Sequence, residues 1–157
     1  MKKLLAIIAI ASALAINTQT HAADSGGAVS DGGGGYGQTD IKDSMSKARS
    51  LIGKSEYKRA IRELRAIIRA DYRNADAWNL AGYSNRKLGK YKKAGKAYRK
   101  ALKFNPQHKG ALEYQGQLFI TLNKLDKARA NRDQLAMLCP DGCTELNKLN
   151  TALAAVN

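Results

Sequence analysis

The chain has 157 residues, a formal charge of +14, two cysteines and two histidines. That length accommodates one small folded domain. So strong a basic excess admits acidic partners, but no DNA- or RNA-reading motif accompanies it, and no nucleic acid is expected as a partner.

The chain opens with Lys2 and Lys3, followed by an apolar run from Leu4 to Ile16 that only Ser12 interrupts. Thr20-His21-Ala22 then places small residues where a leader peptidase cuts, so residues 1–22 read as a secretory signal. The run is too short to span a bilayer comfortably. No cysteine follows it, which argues against a lipid-anchored start. The compact signal is of the bacterial kind and points to the periplasm, with full secretion left open. Residues 23–40 are rich in Gly, Ser and Asp, including the run Gly32 to Gly35. Such a composition cannot bury enough apolar surface to offset its ordering entropy, and a flexible linker is expected. Folding is expected to begin near Thr39 or Asp40, either of which can cap a helix.

From Ile41 onward one pattern recurs every 34 residues, in segments 41–74, 75–108 and 109–142. The central copy carries Trp78, Gly82, Ala94, Tyr98, Ala101 and Pro106. Tyr91, Ala94, Tyr98, Ala101 and Leu102 fall on one helical face, Gly89 breaks the pattern, and Asn105-Pro106 ends the second helix. The third copy keeps Leu112, Gly116, Phe119, Ala128, Leu135 and Pro140, with Asn123 in the turn and Arg132 where an aromatic is expected. The first copy keeps Ala48, Tyr57, Ala60, Leu64 and Ile67, but has Tyr72 where Pro is expected. Residues 143–157 carry Leu146, Leu149 and Leu153 at helical spacing and read as a capping helix.

Cys139 and Cys143 frame a Pro-Asp-Gly turn just before that helix. The turn can bring their Cα atoms within disulfide range, and an exported chain favours oxidation. A zinc site needs four ligands, and outside the leader only His108 is available to join these two cysteines. No nucleophile motif, phosphate-cradling loop or metal-ligand cluster is present, so neither catalysis nor a cofactor is expected.

The residues of the three copies resemble the tetratricopeptide repeat, a helix–turn–helix unit. Ala81 stands where the family has Leu, and Asn85 where it has Tyr. The resemblance implies an all-α, right-handed α-solenoid of three helix–turn–helix repeats plus a C-terminal capping helix. It also implies an adaptor or scaffold that binds a protein or peptide through a concave groove lined by the first helix of each repeat. The corresponding groove residues here are Met45, Arg49, Asn79, Tyr83, Arg86, Glu113, Gln117 and Ile120. They do not form the Lys/Asn/Arg clamp for a C-terminal carboxylate that some members use.

A second feature is independent of that resemblance. No Asp or Glu occurs from Ala77 to Leu112, while ten Lys and Arg do. Lys90, Lys92, Lys93, Lys96, Arg99, Lys100 and Lys103 form most of this basic surface. Its alternative uses are a plain solvated face or contact with an anionic envelope surface, lipid or polymer.

Overall fold

The computed structural model describes residues 37–156. The signal and nearly all of the glycine-rich segment lie outside the described residues. Among the described residues seven α-helices follow in order: α1 (Gln38–Gly53), α2 (Tyr57–Ala70), α3 (Ala75–Lys87), α4 (Tyr91–Phe104), α5 (Lys109–Thr121), α6 (Leu125–Leu138) and α7 (Thr144–Ala154). No strand occurs among the described residues. The helices pair as α1/α2, α3/α4 and α5/α6, and α7 packs on α5 and α6. This is an all-α helical-repeat solenoid.

Local chemistry sets the ends of the helices. Asp40 acts one turn inside α1 rather than capping it: its carboxylate accepts the Gly37 N–H at 3.0 Å. Asn74 caps α3 by accepting from the Ala77 N–H at 2.9 Å, and His108 caps α5 through Nδ1 and the Ala111 N–H at 3.2 Å. Each pairing satisfies an amide that a helix start leaves without an intrahelical partner. The turn inside each helical hairpin uses a left-handed residue at the same repeat position: Ser55 (φ 59°), Gly89 (φ 69°) and Asn123 (φ 53°). Glycine adopts this conformation without cost and asparagine tolerates it, whereas serine pays a steric penalty.

The helices of a pair meet over a small residue. Ala48, Gly82 and Gly116 stand at the eighth position of their repeats, and Ala48 is fully buried. A Cβ built on Gly82 would lie 2.5 Å from the Tyr98 ring, itself fully buried. In the third repeat Arg132 replaces that tyrosine. Leu149 of α7 takes the space instead, 2.7 Å from a Cβ on Gly116. The capping helix therefore completes the core of the last repeat.

Three small cores run along the stack rather than one central core. The first joins Ala48, Leu64, Ile67, Ala77, Leu80 and Ala81; the second centres on Ala94, Tyr98 and Leu118; the third joins Leu112, Ala128, Leu135, Leu149 and Leu153. Each fully buried leucine contributes about 1.5–3 kcal/mol. Tyr72, standing where the repeat usually has proline, closes the first junction differently. Its carbonyl accepts from Trp78 Nε1 at 2.8 Å, and its ring meets Trp78 and Phe104 edge-on, each at 5.5 Å.

The first helices of successive repeats touch: α1 meets α3, and α3 meets α5. The second helices α2, α4 and α6 make no such contact with one another. A layer in contact beside a layer that is splayed curves the stack, with α1, α3 and α5 on its inner side. Cys139 and Cys143 form a disulfide at the α6–α7 junction, with Cα atoms 5.8 Å apart.

Gly82→Ala should destabilise the fold by about 1–2 kcal/mol, because overpacking against the Tyr98 ring outweighs the gain in helix propensity. Gly95→Ala, whose Cβ meets Leu118 at an ordinary 3.5 Å, should instead stabilise it by about 0.5–1 kcal/mol. Urea denaturation of both variants tests the pair. Reducing the disulfide opens no new path to unfolding for α1–α5 and should cost about 1–2 kcal/mol, since the loop it closes is short. Amide exchange should rise first in α7.

Candidate functional site

Tyr83 occupies the centre of the inner side, on the last turns of α3. Its ring lies 4.9 Å from Tyr114 of α5 and 6.2 Å from Tyr57 at the start of α2. One aromatic row thus draws on all three repeats. The Arg86 guanidinium sits over the Tyr83 ring at 5.7 Å and the Lys87 ammonium at 5.9 Å. Rings carrying hydroxyls beside cations make an amphipathic surface, able to stack on apolar groups and hydrogen-bond a backbone.

The carboxylate of Glu113, one turn before Gln117, sits beside this row. It is 2% exposed and accepts a hydrogen bond from Gln117 Nε2. Burial pushes its pKa up to about 7; the positive charges of Lys148 and Arg86 oppose the rise, and Glu145 adds to it. Burial likewise raises the Tyr114 phenol and, further, the Tyr98 phenol, the latter against the pull of Arg86. The floor of this region is therefore a low-dielectric setting in which a new charge partner would be felt strongly.

A polar chain runs along the rim near the helix starts. Arg49 of α1 approaches Asp76 at 3.6 Å, and His108 Nε2 donates to Asp76 Oδ1 at 3.0 Å. His108 Nδ1 already accepts from Ala111, which fixes the tautomer with the proton on Nε2. The His108 hydrogen bond is the largest cause holding Asp76 below its ordinary pKa.

The residues expected from sequence divide by depth. Tyr83, Arg86 and Gln117 are half-buried, with Arg86 over Tyr83 and Gln117 bonded to Glu113, and Arg49 is exposed at the rim. Glu113 and Asn79 are buried; Asn79 Oδ1 has no hydrogen-bond partner among the described residues. Met45 and Ile120 pack against the first and third cores. Tyr57 and Tyr114 were not among those expected. Tyr114 stands where the central repeat has the buried Leu80, and a polar-tipped ring at a core position was the signal available. On the outer side, Lys90, Lys92, Lys93, Lys96, Arg99 and Lys103 are exposed, while Lys100 is half-buried and donates to the Tyr72 hydroxyl at 2.6 Å. Among the described residues no cluster of three or more His, Cys, Asp or Glu is placed to hold a metal.

The tetratricopeptide-repeat family model matches residues 45–109 and 87–132, together more than half of the chain. The chain belongs to the tetratricopeptide-repeat family. It is similar to tetratricopeptide repeat protein 37 of Xenopus laevis, 28% identical over 87 residues, and to superkiller complex protein 3 of Mus musculus, 25% identical over 87 residues. The matched stretch is 55% of this chain but only 6% of either relative. Among solved structures, the type III secretion translocator chaperone SycD of Yersinia enterocolitica superposes with a TM-score of 0.69 at 14% identity, over 76% of this chain and 85% of that one. The first tetratricopeptide domain of Spaghetti (RPAP3), bound to an HSP90 peptide, gives 0.67 at 19% identity, over 76% and 95%. SycD in complex with a peptide of the translocator YopD gives 0.66 at 14% identity, over 76% and 90%. At these identities the likeness is one of fold.

Glu113 binds a proton more tightly in the folded chain than its ordinary value of 4.5 allows. Its favourable contribution is therefore complete below that value and lost as pH rises through about 7. Stability should fall by roughly 1–3 kcal/mol across this window. In Glu113→Gln the fall should be flattened, as checked by urea midpoints at a series of pH values.

Proposed function

We propose that this protein is an exported adaptor that holds an extended segment of a partner protein against its inner face, centred on Tyr83. The observation that carries the reading is the row Tyr57–Tyr83–Tyr114 with Arg86 over its middle ring. Three rings from three repeats, fixed by the cores behind them, provide a preformed surface that loses little entropy on binding. Two structural neighbours hold bound peptides, one from HSP90 and one from YopD, which supports a peptide as occupant. Arg86, Lys87 and Lys148 favour a segment carrying acidic groups, and the chain's charge, +14 less Lys2 and Lys3 of the leader, would speed the encounter. In this reading the chain binds and does not catalyse. The periplasm is the proposed location, on the strength of the leader-like residues 1–22.

The test is photo-crosslinking in intact cells, with a photoreactive residue at Gln117 in otherwise native full-length protein. We expect one protein to be captured, and capture to fall at least tenfold when Tyr83 and Arg86 are both alanine. Capture that the double variant leaves unchanged would overturn the inner face as the binding site. Sequencing of the accumulated protein's N-terminus should begin at Ala23; an intact Met1 start on all of it would contradict export by cleavage.

A further inference from the structure

The splay of the outer layer leaves α2 and α4 apart, with the half-buried Trp78 and Asn85 of α3 between them. Two linked recesses of about 250 and 360 Å³ occupy the space, and a third of about 400 Å³ adjoins them at Trp78 and Lys96, on the α4 side alone. Ile61, Ile68, Trp78, Ala81 and Ala97 form the apolar floor of the middle recess. Trp78 and Lys96 continue into the recess at one end, and Ile61, Arg65 and Lys93 into the recess at the other.

Both walls carry cations at helical spacing. On α2 these are Lys58, Arg62, Arg65 and Arg69; on α4 they are Lys93, Lys96, Lys100 and Lys103. Steps of three and four residues place each set along one stripe of its helix. Each stripe runs along about three turns of helix, roughly 15–16 Å. α4 contains no acidic residue, and Glu63, the only acid of α2, is paired with Lys47 of α1 at 3.0 Å. Arg65, Arg69, Lys93 and Lys96 have no ion pair among the described residues. Where the rows share a recess, Arg65 and Arg69 with Lys93 and Lys96, like charges repel each other, and an anionic occupant would relieve that repulsion while covering the floor.

We infer that this outer groove is a second docking site, distinct from the inner face, for an acidic amphipathic helix of a partner protein. Such a helix would seat its apolar stripe on Trp78 and the two isoleucines and present carboxylates to both walls. Charge complementarity selects an anion, and the recessed floor selects among anions. A flat anionic membrane or a uniformly charged polymer would meet the walls but leave the floor uncovered, whereas the ridge of a helix would reach it.

Trp78 is the only tryptophan of the chain and lines this groove, so its emission responds to an occupant there. The experiment titrates the protein, at about 0.15 M salt, with a synthetic Trp-free helical peptide bearing a Leu/Phe stripe flanked by Glu. A second peptide has the stripe replaced by Ser, and vesicles rich in phosphatidylglycerol form a third arm. We expect a saturable Trp78 response to the first peptide, and at least tenfold weaker binding for the Ser peptide. The double variant Arg65→Glu/Lys93→Glu should also bind at least tenfold more weakly with an unchanged circular dichroism spectrum, and Tyr83→Ala should bind as the parent does. Equal binding of the Ser peptide would reduce the site to charge alone and overturn the proposal. Loss of the response in Tyr83→Ala would place the peptide on the inner face, and a response to vesicles without one to peptide would make the surface a membrane contact; either result overturns it.

Discussion

The close approach of two helices over a residue with almost no side chain underlies the rest of this structure. At Gly82 the Tyr98 ring lies where a Cβ would be, and at Gly116 the Leu149 side chain does. Only this proximity lets a chain of short helices bury tyrosine and leucine fully without a large central core. It also fixes which layer is tight and which is loose. The inner helices α1, α3 and α5 touch in series while α2, α4 and α6 stand apart. Curvature, the inner aromatic face and the outer groove all descend from that difference.

Both surfaces read as consequences of the same arithmetic of repeats. A motif repeated three times places equivalent positions side by side, so single residues from distant parts of the sequence become neighbours. Tyr83 gains Tyr57 from one side and Tyr114 from the other. Two cationic stripes, each unremarkable as a solvated helix face, become the walls of one groove once α3 supplies a floor with Trp78. The buried Glu113 is the electrostatic counterpart on the inner side: desolvation raises its pKa while Arg86 and Lys148 hold it in check.

Much of the fold could be read from the chain, because its determinants are local. Gly82, Gly89, Asn123, Asn105-Pro106 and the Cys139–Cys143 turn each act within a few residues of their position. Tyr57, Tyr114 and the outer groove could not be read in that way, since each depends on partners from another repeat. Asp40 shows the same limit on a smaller scale: its type marks a helix start, but only the geometry shows it bonding back to Gly37 from inside the first turn. Met45 and Ile120 sit at groove positions by repeat arithmetic, yet at the ends of the stack they lean on the first and third cores. Terminal repeats lack a neighbour on one side, and their groove positions are drawn into covering what is left open.

The measurement that bears most directly on this account is amide hydrogen exchange resolved to single helices. Stability that passes from neighbour to neighbour requires the greatest protection in α3, α4 and α5, which have partners on both sides, and the least in α1, with α7 held above α1 by the disulfide. Protection that is uniform along the chain, or greater in α1 than in α3, would contradict a serial stack and with it the origin of both surfaces.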